Sequence, residues 1–192
     1  MRKGTLIKSF FKHFRTGVKY LYEEEYDAVN YNTNERCMMA IIYAEMQKRF
    51  KECAENYKVD YEYNREGRNG DPKTLSCQYE TEPYSNVRRV IPDLIFHKRG
   101  DCSGNCNLCV LEAKKIGVDP SYDIVKLKEM TRQDGEGKFK YKIGCHIVFG
   151  ETANLTKIEV FINGKSRLEG IVANMEDIIN EALEILINEN II

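Results

Sequence analysis

A chain of 192 residues, 42% apolar and 31% charged, with a formal net charge of −1, has enough length for one domain with a real core and too little for two. No apolar run approaches the ~18 residues that span a bilayer, and Lys8, Lys12 and His13 interrupt the N-terminal apolar stretch where a signal peptide would be uniform. The expected setting is therefore cytoplasmic, with no membrane partner and with the seven cysteines mostly reduced.

Charge is unevenly placed along the chain. Residues 1–21 carry Arg2, Lys3, Lys8, Lys12, Arg15 and Lys19 and no acid, whereas residues 168–192 carry Glu169, Glu176, Asp177, Glu181, Glu184 and Glu189 and no base. A basic end of this kind steers toward phosphate or forms a solvated helix face. The acidic end suits a protein partner or a homodimer.

In chain order, Leu6, Phe10, Phe14, Val18 and Leu21 recur at helical spacing and predict a helix over 5–22. A second helix is expected over 33–55 on the stripe Met38, Ile42, Met46, Phe50 and Cys53, with Asn32 and Glu35 in capping-box spacing. Val59, Tyr61 and Tyr63 alternate with Asp60, Glu62 and Asn64, as in a half-buried strand. Residues 65–86, rich in Gly, Asn, Pro and charge, read as a loop.

Strands are expected over 89–98 and 108–114, joined through a Gly- and Asn-containing turn as an antiparallel hairpin. Ser121 and Asp123 open a helix with Ile124, Leu127 and Met130 on its apolar face. Strands follow over 141–149 and 156–162, the latter ended by Asn163-Gly164. A last amphipathic helix over 171–187 buries Met175, Ile178, Ile179, Ala182, Leu183, Leu186 and Ile187. The order predicts an α/β (α+β) domain, a mixed central sheet flanked by helices. It divides into a basic helical extension (1–30), a core (33–149) and a C-terminal strand and helix (150–192).

The chemistry-bearing residues lie on the predicted hairpin. Pro92-Asp93 falls inside its first strand and Glu112-Ala113-Lys114 inside its second. Period-two geometry puts Glu112 and Lys114 on one face, and the hairpin brings Asp93 beside Glu112. Two carboxylates and an ammonium in one patch suit Mg²⁺ or Mn²⁺, which take carboxylate oxygens, waters and a substrate phosphate. A bound ion acidifies its water and offsets charge on phosphate, and a neighbouring lysine positions that water or stabilises the transition state.

Val90-Ile91-Pro92-Asp93-Leu94-Ile95-Phe96-His97 and Cys109-Val110-Leu111-Glu112-Ala113-Lys114-Lys115 resemble the PD-(D/E)XK nuclease superfamily, which includes restriction endonucleases, Holliday-junction resolvases and repair exonucleases. Val59–Arg65 and Asp123–Leu127 also resemble small, functionally unassigned microbial members. The resemblance covers residues 33–149 and implies a restriction-endonuclease-like core. It implies a metal-dependent nuclease acting on DNA, with Asp93 and Glu112 as metal ligands, the Ala113 carbonyl as a further ligand and Lys114 as the catalytic lysine. It also implies an acid from the first core helix, for which Glu35 is the candidate and Glu45 the alternative. Specificity would lie in the termini and in residues 65–86.

Two other readings stand beside this one. The first is a catalytically inactive nuclease-fold module that binds nucleic acid or protein. The second uses Cys102, Cys106 and Cys109, whose C-x₃-C-x₂-C spacing fits an iron–sulfur cluster. Those cysteines also fit Zn²⁺ if Cys77, His97 or Cys145 supplies the fourth ligand. Thiols packed in a loop and a core account for them more simply, and Cys109 is expected on the strand face opposite Glu112. His13, His97 and His146 form no triad pattern; His97 shares the strand face of Asp93. Lys126 reads as a solvated helix lysine, and the basic helix over 2–19 as a backbone contact.

Overall fold

A computed structural model describes residues 2–31, 33–50, 56–66, 69–77, 86–100, 104–135 and 137–192. Its centre is a six-stranded mixed sheet: β1 (Lys58–Tyr61), β6 (Leu94–His97), β7 (Asn107–Lys115), β8 (Ile143–Phe149), β9 (Lys157–Ile162) and β10 (Lys165–Ile171), adjacent in that order. All neighbours are antiparallel except β7 and β8. That parallel step requires a crossover, supplied by helix α4 (Ser121–Thr131).

Alternation along β7 separates two cores. Cys109, Leu111 and Ala113 pack with α1 (Lys3–Glu23), α3 (Glu35–Phe50) and α5 (Met175–Asn188), while Val110 packs with Leu127 and Met130 of α4. The expected α1 stripe is buried in full, with Phe10, Phe14, Val18 and Leu21 all at 0% exposure. Two glycines allow helices to come close. A Cβ on Gly17 would stand 2.9 Å from Ile42 Cγ2 and 3.0 Å from the Ile42 carbonyl, so α1 and α3 cross at backbone contact. On Gly144 of β8 a Cβ would meet Thr131 Cγ2 at 2.8 Å and Leu127 Cδ2 at 3.3 Å, so this residue sets how near α4 lies to the sheet.

Several expectations are corrected. The strand placed over 89–98 is two strands, β5 (Asn86–Arg89) and β6, separated at Val90–Asp93. Pro92 has no amide to donate to a ladder, and β5 leaves the main sheet to pair with β4 (Thr74–Cys77). The described part of 65–86 is therefore not plain loop: it holds β4 and a minimal hairpin of β2 (Arg65–Glu66) and β3 (Asp71–Pro72). Asn163-Gly164 ends β9 as expected, but a further strand follows it. Both residues have positive φ, 51° and 75°, the signature of a tight hairpin turn, and β10 follows. This strand is polar and largely exposed, so no apolar alternation announced it.

Asn34, not Asn32, caps α3: its Oδ1 accepts from the Cys37 amide at 2.9 Å. Asn32 and Cys53 lie outside the described residues. Ile187 is 60% exposed rather than part of the buried stripe. No helix among the described residues is long and apolar enough to cross a membrane.

Candidate functional site

The site lies on the α4 side of the sheet, where a row of polar side chains crosses paired strands. The register Leu94↔Leu111 and Ile95↔Val110 sets Asp93, just before β6, opposite Glu112. Glu112 pairs in turn with His146, and His146 with Glu159. Cross-strand partners share a face, so Asp93, Glu112, His146 and Glu159 form one line.

Asp93 is held from both sides. Its backbone carbonyl accepts from the Glu62 amide at 3.1 Å, and its Oδ2 accepts from the Ala113 amide at 2.7 Å. The Ala113 carbonyl points to the same edge of β7 as that amide, which keeps it a candidate backbone ligand. The expected meeting of Asp93, Glu112 and Lys114 is therefore present, although Pro92-Asp93 stands at the entry of the strand rather than inside it.

Helix α4 completes the cluster. Lys126 Nζ contacts Glu112 Oε2 at 2.6 Å and Asp123 Oδ1 at 3.2 Å. Lys114 Nζ stands 3.0 Å from Asp123 Oδ2 and 3.7 Å from Glu35 Oε1. Glu35 thus reaches the site, whereas Glu45 is buried and pairs with Lys48 at 2.9 Å on the same helix. Tyr61 donates to the Arg36 carbonyl at 2.9 Å and Arg36 pairs with Glu62 at 3.0 Å, which fixes the start of α3 over β1.

Asp123 and Lys126 were not foreseen as site residues, and Lys126 is not the solvated lysine expected: it is 5% exposed. The signal existed. Positions 123, 126, 127 and 130 share one helical face, so the stripe that buries Leu127 and Met130 also carries Asp123 and Lys126 inward.

Burial dominates the electrostatics. It raises the carboxyl of Asp93, opposed by the Ala113 hydrogen bond and by Lys126, and raises that of Glu112 strongly against the pull of Lys126. For Lys126 burial works downward, but Glu112 and Asp123 outweigh it and keep the ammonium charged; Asp123 and Glu35 do the same for Lys114. Glu112 Oε1 and His146 Nε2 are buried without a partner among the described residues. Such atoms in a native site usually mark water or an ion.

The remaining candidates lie elsewhere. His97 is buried and bonded to Asp60 at 2.9 Å, and Asp60 also accepts from Arg99 Nε at 2.8 Å. This cluster shares the α4 side but sits at the far end of β6 from Asp93. Burial works to raise the Asp60 carboxyl, but Arg99 and His97 hold it down at about 2. Cys109 is a core thiol on the face opposite Glu112, as alternation required. Burial raises it, and Cys145 lies in the same core. Cys102 is outside the described residues, and Cys106 is half-buried. The basic side chains of α1 occupy the other layer: Lys8, Lys12, Arg15 and Lys19 line a groove of about 730 Å³ with Met175 and Ile179 of α5. They do not border the carboxylate site.

Among the described residues no three His, Cys, Asp or Glu side chains are already assembled at metal-binding separation. The orphaned Glu112 oxygen beside Asp93 and the Ala113 edge fits an ion held by one or two carboxylates and completed by water, the usual habit of Mg²⁺. Comparison with family models, with curated proteins and with solved structures finds no match to this chain. The class defined by the coordinates themselves is a mixed α/β domain with a buried acid–lysine site at the β6–β7–α4 junction.

Proposed function

We propose that this site hydrolyses phosphodiester bonds, with DNA as substrate, in the manner of the PD-(D/E)XK nucleases that the sequence resembles. The observation that carries the reading is the convergence of Asp93, Glu112 and Lys114, with the Ala113 amide locked onto Asp93 at 2.7 Å. A structural explanation is weak. Glu112, Asp123 and Lys126 are taken out of water, at a cost of several kcal/mol per ion, and apolar side chains of similar volume usually serve stability as well. Two carboxyl groups raised by burial and gathered with two lysines at one place fit a functional site better.

In this reading Asp93, Glu112 and the Ala113 carbonyl would hold a divalent ion, whose chemistry is to acidify water and offset charge on phosphate. Lys114, 25% exposed at its side chain, reaches the mouth of the cluster from the end of β7. In this role it would orient the attacking water and donate to a phosphoryl oxygen. Glu35 and Asp123 keep that lysine protonated and aimed. Lys126, deeper, neutralises Glu112 while no other cation does so.

That last contact also favours a second reading. An ammonium 2.6 Å from Glu112 can replace an ion permanently, which would leave a nuclease fold that binds nucleic acid or protein without cutting. Incubation with single-stranded, duplex and branched DNA in Mg²⁺ or Mn²⁺ separates the two. Cleavage that stops with chelator and is lost in Asp93→Ala and Lys114→Ala supports hydrolysis. Intact DNA in every form, with no divalent-ion binding, supports the inactive module.

A further inference from the structure

We infer that His146 is a ligand of this site and that its imidazole makes the preferred occupant a first-row transition-metal dication rather than Mg²⁺. The inference rests on the carboxylate reading above and adds a residue that reading does not use. His146 is the direct partner of Glu112 in the parallel register of β7 and β8, on neighbouring strands about 4.8 Å apart. It is 3% exposed, and its Nε2 has no partner among the described residues, as is true of Glu112 Oε1 next to it. Two unpartnered polar atoms on adjacent, same-facing residues, a carboxylate oxygen and an imidazole nitrogen, leave one unmet demand between them, which a cation meets when Nε2 carries no proton.

The surroundings agree in charge. Burial acts most on the imidazole and disfavours its charged form; the charged groups that act on it are Asp123 and Glu159, and then Lys114 and Lys126. Counted with Asp93, Glu112 and Glu35, five carboxylates face two lysines. Beyond His146 the same sheet face opens into a groove of about 410 Å³ lined by Val148, Lys157, Glu159, Glu169 and Ile171. His146 therefore stands between the carboxylate cluster and a path to solvent. Carboxylate oxygens alone suit Mg²⁺, whereas an imidazole nitrogen in the set favours a first-row transition-metal ion over Mg²⁺, more strongly for ions later in the row than Mn²⁺. Water would complete the coordination.

The test uses the full chain and Mn²⁺ as probe. Electron spin echo of the Mn²⁺-loaded protein reads nitrogen coupling directly. Titration of Mn²⁺ and Mg²⁺ into wild type, His146→Gln, Glu112→Gln and Glu159→Gln gives affinities, with near-ultraviolet circular dichroism confirming the fold. The expected result is a ¹⁴N modulation in wild type that is lost in H146Q. With it should come a fall in Mn²⁺ affinity on the order of tenfold or more, little change for Mg²⁺ and little effect of E159Q. Mn²⁺ binding that depends on Glu112 but shows no ¹⁴N modulation overturns the histidine ligand and leaves the carboxylate reading standing. Absence of any divalent-ion binding in wild type overturns both.

Discussion

Lys126 Nζ lies 2.6 Å from Glu112 Oε2, with Lys126 5% and Glu112 1% exposed. The pair joins the strand that carries the candidate chemistry to the helix that covers it, and Glu112 depends on Lys126, which is itself held by Glu112 and Asp123 together. Lys126→Met should therefore destabilise the domain by about 3–5 kcal/mol, the range for stranding one member of a buried pair. The double variant Lys126→Met with Glu112→Leu should recover most of that loss. Urea midpoints of the two variants decide it; a double variant no more stable than the single one contradicts the account.

The raised Asp93 carboxyl has a definite sign. A folded-state value above the unfolded one gives a contribution fully present below the ordinary aspartate range and lost as pH rises through the folded value. Asp93→Asn keeps an acceptor for the Ala113 amide and removes the ionisation. It should gain about 1 kcal/mol at pH 7, the scale on which single substitutions commonly stabilise, and nothing near pH 3. Denaturation at the two pH values checks this, and an equal gain at both would show that ionisation is not the cause.

Asp60 has the opposite sign. Arg99 and His97 outweigh burial and hold its carboxyl near 2, so its stabilising effect is present above the unfolded value and fades as pH falls through about 2. Asp60→Asn should cost about 2 kcal/mol at pH 7, the scale for losing a charged hydrogen-bond acceptor, and far less at pH 2. The proposed cleavage would persist in this variant, because the Asp60 carboxylate is bonded to His97, at the other end of β6 from Asp93.

Gly144 controls the helix that carries Asp123 and Lys126. A Cβ there would meet Thr131 at 2.8 Å, and overpacking of this kind costs about 1–3 kcal/mol. Gly144→Ala should push α4 outward, lower the melting temperature and weaken divalent-ion binding together. Hydrogen exchange localised to α4 would report the displacement, and unchanged exchange would count against it.

Tyr141 is fully buried and its hydroxyl has no partner among the described residues. Tyr141→Phe removes an unsatisfied group without opening a cavity. It should be neutral or stabilising by up to about 1 kcal/mol. A loss above 1 kcal/mol in thermal or urea unfolding would reveal a partner for that hydroxyl.

The stripe of α1, the pairing of β6 with β7 and the common face of Glu112 and Lys114 were legible in the sequence, because each follows from a local period, 3.6 residues or two, that the residues themselves carry. Asp93 was placed opposite Glu112 by the same reasoning. What only tertiary structure decided was which separate segments meet there. The close approach of α4 over Gly144, the selection of Glu35 over Glu45, the pairing of His146 with Glu112 and the removal of His97 to Asp60 depend on strand order and on the parallel crossover between β7 and β8. No local period encodes those long-range choices; they are set by the burial of two sheet faces at once.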